Sequence, residues 1–516
     1  MSLAQLRGAL TSTTAKIKGY GQSPELRRSI KNSIYNTADY ALLPLLWLLS
    51  ARLFTKRLGV DQYGVWMLTN TIMGIGGTMA FGLSDATIKF VAQYRAQSNL
   101  AAIQRVIRTS LTVYTLLGCV AAAAIMALAP VMVSRLFHVE VQNQSLAVWA
   151  IGLGGIGLLV RFLDSVFLSA LQGFERYDGN ARVSMVVNLV TVGANVVSVL
   201  TGHGLRSILV TIVALQLAGA IAKAFLVKKL LGDHWSFLPI FEKEALREIF
   251  GFSFYSWIQT LGGTFLQQAD RFLIASLINT QALGYYSVCS QLTQQIQAIL
   301  SKAMAFLFPF ASVAQQQGDV AKLRRFYFKG LAFTTIVAVA MGLPIFLLAH
   351  GILSLWMGPA FAAKTESSLR VLIISATFVS TSIVPYYYMN GVGFVRMNAL
   401  SSVVSGILVV GASLLLVPQF GILGAALARL ATIPVTLVTR TILHQRALGD
   451  NRWYGGAVIV LPISACYLLG YALLMGVGDP SRGIFTLFPA AAAYAILGTI
   501  LAAGGLRLFR VEPAEA

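Results

Sequence analysis

Leu58-Gly59-Val60-Asp61-Gln62-Tyr63-Gly64 is echoed 220 residues later by Ile278-Asn279-Thr280-Gln281-Ala282-Leu283-Gly284. Further echoes follow in the same order. Gln97-Ser98-Asn99-Leu100-Ala101 through Arg105 returns as Gln317-Gly318-Asp319-Val320-Ala321 through Arg325. Gln172-Gly173, Asn180-Ala181 and Ser184 return as Asn390-Gly391, Asn398-Ala399 and Ser402, and Gly204-Leu205 as Gly421-Ile422. Four echoes in order, at offsets of 217 to 220, indicate an internal duplication. A duplicated helix bundle is the usual plan of a transporter, with the substrate path between its halves.

The material between the echoes is apolar. The chain has 516 residues, of which 57% are hydrophobic and 11% charged, and its mean hydropathy is +0.73. A soluble fold of this length could not hide so much apolar surface. Stretches of about 20 apolar residues, enough to cross the hydrocarbon core, recur throughout. The sequence therefore predicts an all-α polytopic membrane protein with about 14 spans. They fall near 34–54, 64–84, 107–132, 145–170, 182–201, 206–228, 249–278, 283–312, 329–355, 368–392, 397–418, 421–443, 454–476 and 484–506. The duplication groups the first twelve into two six-helix lobes and leaves two C-terminal spans outside the repeat. The expected segments are a basic cytoplasmic N-terminal segment (1–33), an N-lobe (34–235), a C-lobe (236–445), and spans 13–14 with a short cytoplasmic tail (446–516). No cleavable signal is expected, because the first apolar stretch is long enough to be a full span.

The net charge of +20 is spread over alternate connections rather than gathered in one domain, which argues against nucleic-acid binding. With the N-terminus in the cytoplasm, cytoplasmic segments carry roughly 25 Lys and Arg residues against 6 on the other face. Both termini are then expected in the cytoplasm. Six spans per repeat is an even number, so the two halves enter the membrane from the same side and are related by an axis along its normal. No connection is long enough for an extramembrane catalytic domain; the largest covers about residues 228 to 248. Cys119, Cys289 and Cys466 lie in apolar stretches without metal or redox spacing. The five histidines are scattered, and no Walker loop or GxSxG motif occurs. No cofactor, metal or catalytic residue is expected.

An ionisable side chain at a helix centre costs roughly 2.5–3.5 kcal/mol on insertion scales, so each requires an internal destination. Span 7 has a polar stripe of Ser256, Thr260, Thr264, Gln267 and Arg271, with Gln259 and Asp270 beside it. Span 8 repeats the pattern with Gln291, Gln294, Gln295, Gln297 and Lys302. Span 12 carries Arg429, Thr432, Thr436 and Arg440, and span 1 carries Asn36, Asp39, Tyr40 and Arg52. One reading is a shared aqueous cavity; the other is a set of interhelical hydrogen bonds that hold the bundle together. For a cavity, the expected substrate contacts are Arg271, Lys302, Arg52, Arg429, Gln267, Thr264, Gln291, Gln295 and Asn36. Its cations outnumber its acids, which favours an anionic phosphate or diphosphate. Asp270 and Asp39 are the candidate sites for a coupling ion. Arg161 and Asp164, one turn apart on span 4, read as a structural ion pair.

The string Arg57-Leu58-Gly59-Val60-Asp61-Gln62-Tyr63-Gly64, followed by Phe81-Gly82-Leu83, resembles the opening of the polysaccharide transporters, the Wzx-type flippases of the multidrug/oligosaccharidyl-lipid/polysaccharide exporter superfamily. Leu171-Gln172-Gly173-Phe174-Glu175-Arg176-Tyr177, Ala269-Asp270-Arg271 and Leu283-Gly284-Tyr285-Tyr286 extend the resemblance over about residues 30 to 450. It implies two six-helix lobes around a central cavity in a bacterial inner membrane. It also implies an undecaprenyl diphosphate-linked oligosaccharide substrate, alternating access and coupling to an ion gradient. The implied surroundings are membrane lipids and the polymerase and chain-length proteins of polysaccharide assembly. Spans 13 and 14 are similar to the extra pair of lipid II flippases, but Asp39 is the only charge between Ile34 and Ser50, where those proteins would be strongly basic. A multidrug exporter would favour an acid-rich cavity. A membrane glycosyltransferase or polymerase would need a large loop or paired catalytic acids.

Overall fold

The computed structural model describes residues 50–80, 83–232, 243–448 and 460–477. All regular structure among them is helical. Among the described residues, eight helical segments are long and apolar enough to span a membrane: Leu100–Leu136, Val141–Gly173, Tyr177–Leu200, Leu205–Leu231, Val320–Leu347, Pro359–Gly391, Val395–Phe420 and Ile422–Ala447. Their outer faces carry rows of exposed apolar side chains, such as Leu116, Val120 and Leu128, or Leu400, Ile407 and Leu415. In water such faces would be a liability, whereas in lipid they are the expected surface. The protein is a multi-pass membrane protein.

The first half of the described chain runs through α1 (Val60–Gly76), α2 (Leu83–Ala96), α3 (Leu100–Val131), α4 (Gln144–Gly173), α5 (Tyr177–Leu200) and α6 (Leu205–Leu231). The second half opens with α7 (Lys243–Leu277), α8 (Thr280–Met304) and α9 (Leu307–Gln316). It continues with α10 (Val320–Leu347), α11 (Ala349–Met357), α12 (Pro359–Ser380), α13 (Ile383–Gly391), α14 (Val395–Phe420), α15 (Ile422–Ala428) and α16 (Thr432–Ala447). A last helix, α17 (Val460–Val477), packs on α10 and α12. Spans 7 and 8 form the long helices α7 and α8; their polar stripes keep them outside the apolar criterion that the eight segments meet. Most of span 1, all of span 14, and the side chains of Ser256 and Gln259 lie outside the described residues.

Several expected spans are interrupted. Span 2 breaks at Gly77–Ala80, next to a cluster of glycines, and resumes as the short helix α2. Span 9 divides at Leu348, just past Pro344. Span 12 has a 3-10 turn at Arg429–Ala431. Pro434 follows, and its missing N–H cannot bond the carbonyl four residues back.

Two of the sequence echoes return as the same backbone device. Ser98 (φ 54°) and Gly318 (φ 69°) both adopt left-handed conformations. The next residues, Asn99 and Asp319, each cap a helix by accepting from the backbone N–H three residues on, at 3.0 and 2.8 Å. Glu175 (φ 58°) and Gly393 (φ 88°) are a second left-handed pair, 218 residues apart. The duplication therefore preserves turn geometry where the residue types have changed.

The first echo makes contact with its own copy. The N-terminal ends of α1 and α8 cross so closely that a Cβ on Gly64 would collide with the carbonyl of Thr280, and one on Gly284 would lie 2.5 Å from the carbonyl oxygen of Val60. Gln281 Nε2 donates to Asp61 Oδ2 at 3.3 Å. The backbone of His138 donates to Ala275 at 3.2 Å and accepts from Thr280 at 3.3 Å. Phe137 meets Phe272 edge to face at 5.2 Å. These contacts join the two halves of the chain at one end of the cleft between them. Further along the cleft, Trp257 Nε1 donates to the Thr78 carbonyl at 2.8 Å.

Candidate functional site

Of the two cavities lined by residues of the polar stripes, the larger, about 450 Å³, lies where α1, α4 and α6 face α7. The first half contributes Thr69, Asn70, Arg161 and Gln216 to its wall, and α7 contributes Thr260, Thr264, Gln267 and Gln268. Arg161 is the one charged residue among the described residues that line it. The carboxamide oxygens of Gln216 and Gln268 are buried and accept no hydrogen bond from the described protein. A buried acceptor left without a donor costs about 1–3 kcal/mol. The cavity thus presents a positive charge and neutral polar groups to whatever occupies it.

Local sequence explains how α4 brings Arg161 there. A Cβ on Gly154 would lie 2.8 Å from the Thr69 side chain, and one on Gly157 2.9 Å from that of Met73. Small residues at these positions let α4 approach α1. The sequence reading paired Arg161 with Asp164, and the structure corrects it. Lys223 of α6, only 7% exposed, takes Asp164 at 2.8 Å. A buried ammonium needs an acid, and the cross-helix partner wins over the neighbour on the same helix. Arg161 is left exposed to the cavity.

A smaller cavity of about 190 Å³ lies among α7, α8, α12, α13, α14 and α16. Its wall is rich in hydroxyls and carboxamides, including Ser382, Ser401, Ser405, Thr436 and Thr439, and it contains Arg429. Gln267 belongs to the walls of both cavities.

Arg429 sits on the 3-10 turn of the interrupted span, and its Nε donates to Asp270 Oδ2 at 2.7 Å. The Tyr286 hydroxyl donates to the same oxygen in a short hydrogen bond. The backbone N–H of Arg271 donates to Oδ1 at 2.9 Å. Asp270 is fully buried, with both oxygens engaged. The Arg271 side chain is 8% exposed and donates through Nη2 to Ser290 Oγ at 2.9 Å. The Arg429 guanidinium pairs with the carboxylate while that of Arg271 is held by Ser290, and the cluster is net positive.

The structure places the sequence-predicted residues as follows. Thr264 and Gln267 line the larger cavity, and Gln267 and Arg429 line the smaller one. Asp270 and Arg271 are buried and belong to neither lining. Gln291 ties α8 to α1: Tyr63 donates to its Oε1 at 3.4 Å, and its Nε2 lies 3.3 Å from Met67 Sδ. Gln295 donates to the Gln291 carbonyl at 3.2 Å. Lys302 is exposed and outside both linings. Arg52 is exposed as well and donates to the Leu355 carbonyl at 3.1 Å. Asn36 and Asp39 lie outside the described residues. The four cations expected together, Arg271, Lys302, Arg52 and Arg429, do not converge on one cavity.

Sequence reasoning missed Asn70, Gln216 and Gln268 and set Arg161 aside. A signal was available in Lys223. It is a lysine inside an apolar span with no acid on its own helix, so it had to draw an acid from another.

The chain is 20% identical over 402 residues to a Shigella flexneri protein assigned as an O-antigen transporter, covering 77% of this chain and 93% of that protein. It is 22% identical over 472 residues to a Haloferax volcanii protein assigned as a low-salt glycan biosynthesis flippase, covering 88% of this chain and 91% of the relative. Among solved structures, lipid II flippase MurJ in an inward closed conformation superposes with a TM-score of 0.70 at 12% identity, over 92% of this chain and 98% of its own. An inward-facing multidrug resistance MATE family transporter of the MOP superfamily gives 0.67 at 15% identity, over 80% and 98%. These two likenesses establish the fold. The model of the polysaccharide biosynthesis protein family matches residues 51–366, more than half of the chain. The chain therefore belongs to the polysaccharide biosynthesis protein family and is built on the fold of the MOP-superfamily transporters.

Proposed function

We propose that this chain is a flippase that carries undecaprenyl diphosphate-linked oligosaccharide units across the bacterial inner membrane for exopolysaccharide, capsule or O-antigen assembly. The observation that carries the reading is the larger cavity, in which Arg161 is the single charge among the described lining residues, the rest of which are neutral. In low dielectric an arginine is well suited to a diphosphate, and the carboxamides suit sugar hydroxyls. The family and the names of the relatives support the same substrate class.

The finer proposals are two six-helix lobes, about 14 spans in all, both termini in the cytoplasm, and operation beside a polymerase and chain-length proteins. The lobes would rock about the cleft while the lipid tail stays in the bilayer. The crossing of α1 and α8 would then close the periplasmic end, where the loops are poor in Lys and Arg. Coupling to an ion gradient is part of the proposal, with Asp39 and Asp270 as its candidates. A cation at Asp270 would have to displace the guanidinium of Arg429. The multidrug-exporter alternative is disfavoured by the positive lining of the larger cavity. The lipid II alternative keeps the same chemistry with a different glycan, and a glycosyltransferase gains no support from the relatives.

The test uses purified protein in vesicles and an undecaprenyl diphosphate-linked oligosaccharide, with translocation read by an impermeant glycosidase. Arg161→Gln is expected to slow translocation at least tenfold, because a charge-assisted contact contributes about 1.5–3 kcal/mol. Arg161→Lys should recover part of the rate. Full rates in a well-folded Arg161→Gln protein would refute the proposed diphosphate contact.

A further inference from the structure

The smaller cavity has a chemistry of its own. Its hydroxyl hydrogens are largely engaged with helix carbonyls. Ser401 Oγ donates to Met397 at 2.9 Å, Ser402 Oγ to Asn398 at 3.1 Å, and Thr436 Oγ1 to Thr432 at 3.1 Å. Ser382 Oγ donates to Thr436 Oγ1 at 3.2 Å, and Ser401 and Thr439 share a hydrogen bond of 2.7 Å. An engaged hydroxyl keeps lone pairs free, so this wall mostly accepts. Arg429 supplies the opposite chemistry. Its side chain is 15% exposed and lines the chamber, while its Nε holds Asp270.

A fitting ligand therefore has several O–H donors and at least one strong acceptor. A lipid tail has neither. A phosphate offers acceptors without enough donors. A metal cation would suit the lone pairs, but Arg429 in the wall, with Arg271 and Asp270 buried behind it, leaves the surroundings net positive. A polyol ring satisfies both demands. The volume of about 190 Å³ equals roughly six waters at about 30 Å³ each, which suits one sugar ring and excludes a long glycan.

We infer that this chamber is a subsite for a single hexose of the translocated glycan, held by the Ser and Thr lone pairs and by the exposed part of the Arg429 guanidinium. Gln267, shared by both walls, links it to the cavity that holds Arg161. The chamber reads the sugar while the larger cavity holds the diphosphate. This inference rests on the flippase reading.

The experiment measures binding to detergent-purified full-length protein by native mass spectrometry. The probes are bare undecaprenyl diphosphate and the same carrier bearing one glucosyl or one glucuronosyl residue. The wild type is expected to bind at least one sugar-bearing carrier about tenfold more tightly than the bare carrier, the effect of roughly one charge-assisted hydrogen bond. Ser405→Phe, which fills the chamber, should bring that ratio to about one while leaving bare-carrier affinity at the wild-type value. Thr436→Val removes one hydroxyl at nearly constant volume and should lower the ratio several-fold. It also keeps the test valid if the phenylalanine variant fails to fold. A ratio unchanged in the folded variants, or a wild type with no sugar preference, overturns the subsite. A wild type that binds no carrier at all overturns the flippase reading itself, which is a distinct outcome.

Discussion

The crossing of α1 and α8 gives the sharpest prediction. Gly64 and Gly284 occupy the same place in the two repeats, and each faces the backbone of the other helix. A methyl group on either has no flexible side chain to displace, since the obstacles are the carbonyls of Thr280 and Val60. Overpacking of this kind costs typically about 1–3 kcal/mol. If this end of the cleft separates in the opposite access state, the penalty falls on the closed state alone. It then shifts the equilibrium about 5- to 150-fold. A protein with about 1% of its molecules open at this end would move to between about 5% and 60%. The assay places a cysteine at Thr264, in the larger cavity, in a background lacking Cys119, Cys289 and Cys466. Labelling by an impermeant maleimide is followed from each side of oriented vesicles. Gly284→Ala and Gly64→Ala should raise the rate from the periplasmic side by that factor. Gly193→Ala, which meets nothing within 4 Å, is the control and should leave the rate unchanged. An unchanged periplasmic rate in folded Gly64→Ala and Gly284→Ala proteins would refute the gate and leave the crossing as a fixed helix contact.

Three further outcomes follow from the buried charges and the caps. Asp270→Ala strands Arg429 without its counter-ion and should cost about 3–5 kcal/mol; the double variant Asp270→Leu/Arg429→Met should recover most of that, read by thermal unfolding in detergent, and a single variant as stable as the wild type would contradict the ion pair. Asp61 lies before the apolar run of its span, and burial, with Glu140 adding to it, raises its carboxyl above the ordinary range. The folded state then holds the proton more tightly than the unfolded chain, so stability falls as pH rises from about 3.9 through the raised value. Asp61→Asn, which keeps an acceptor for Gln281, should remove that decline and melt at or above the wild-type temperature at neutral pH. Asn99→Ala and Asp319→Ala should each cost about 1 kcal/mol, measured by the same unfolding, and a large effect at only one of them would break the equivalence of the two turns.

Much of the fold was legible because lipid imposes simple rules. A span needs about 20 apolar residues, and the breaks at the Gly77 cluster, Pro344 and Pro434 follow from residue types already in view. The site was harder to read. The stripe on α7 put Thr264 and Gln267 on one face, because a helical face is a local property, and both line the larger cavity. The stripe on α8 has the same spacing, yet Gln291 bridges to Tyr63 and Met67 instead. Periodicity assigns residues to a face; it does not say whether that face meets water or another helix.

Sequence alone determined that this chain crosses a membrane repeatedly, and it displayed the echoes that include Ser98/Gly318 and Asn99/Asp319. Those features depend on hydropathy and on backbone conformation over a few residues. Tertiary structure decided which charge answers which. Asp270 reaches across 159 residues to Arg429, and Lys223 takes Asp164 from Arg161. The physical reason is that a buried ion pair forms with the nearest opposite charge in space, and helix packing sets that distance.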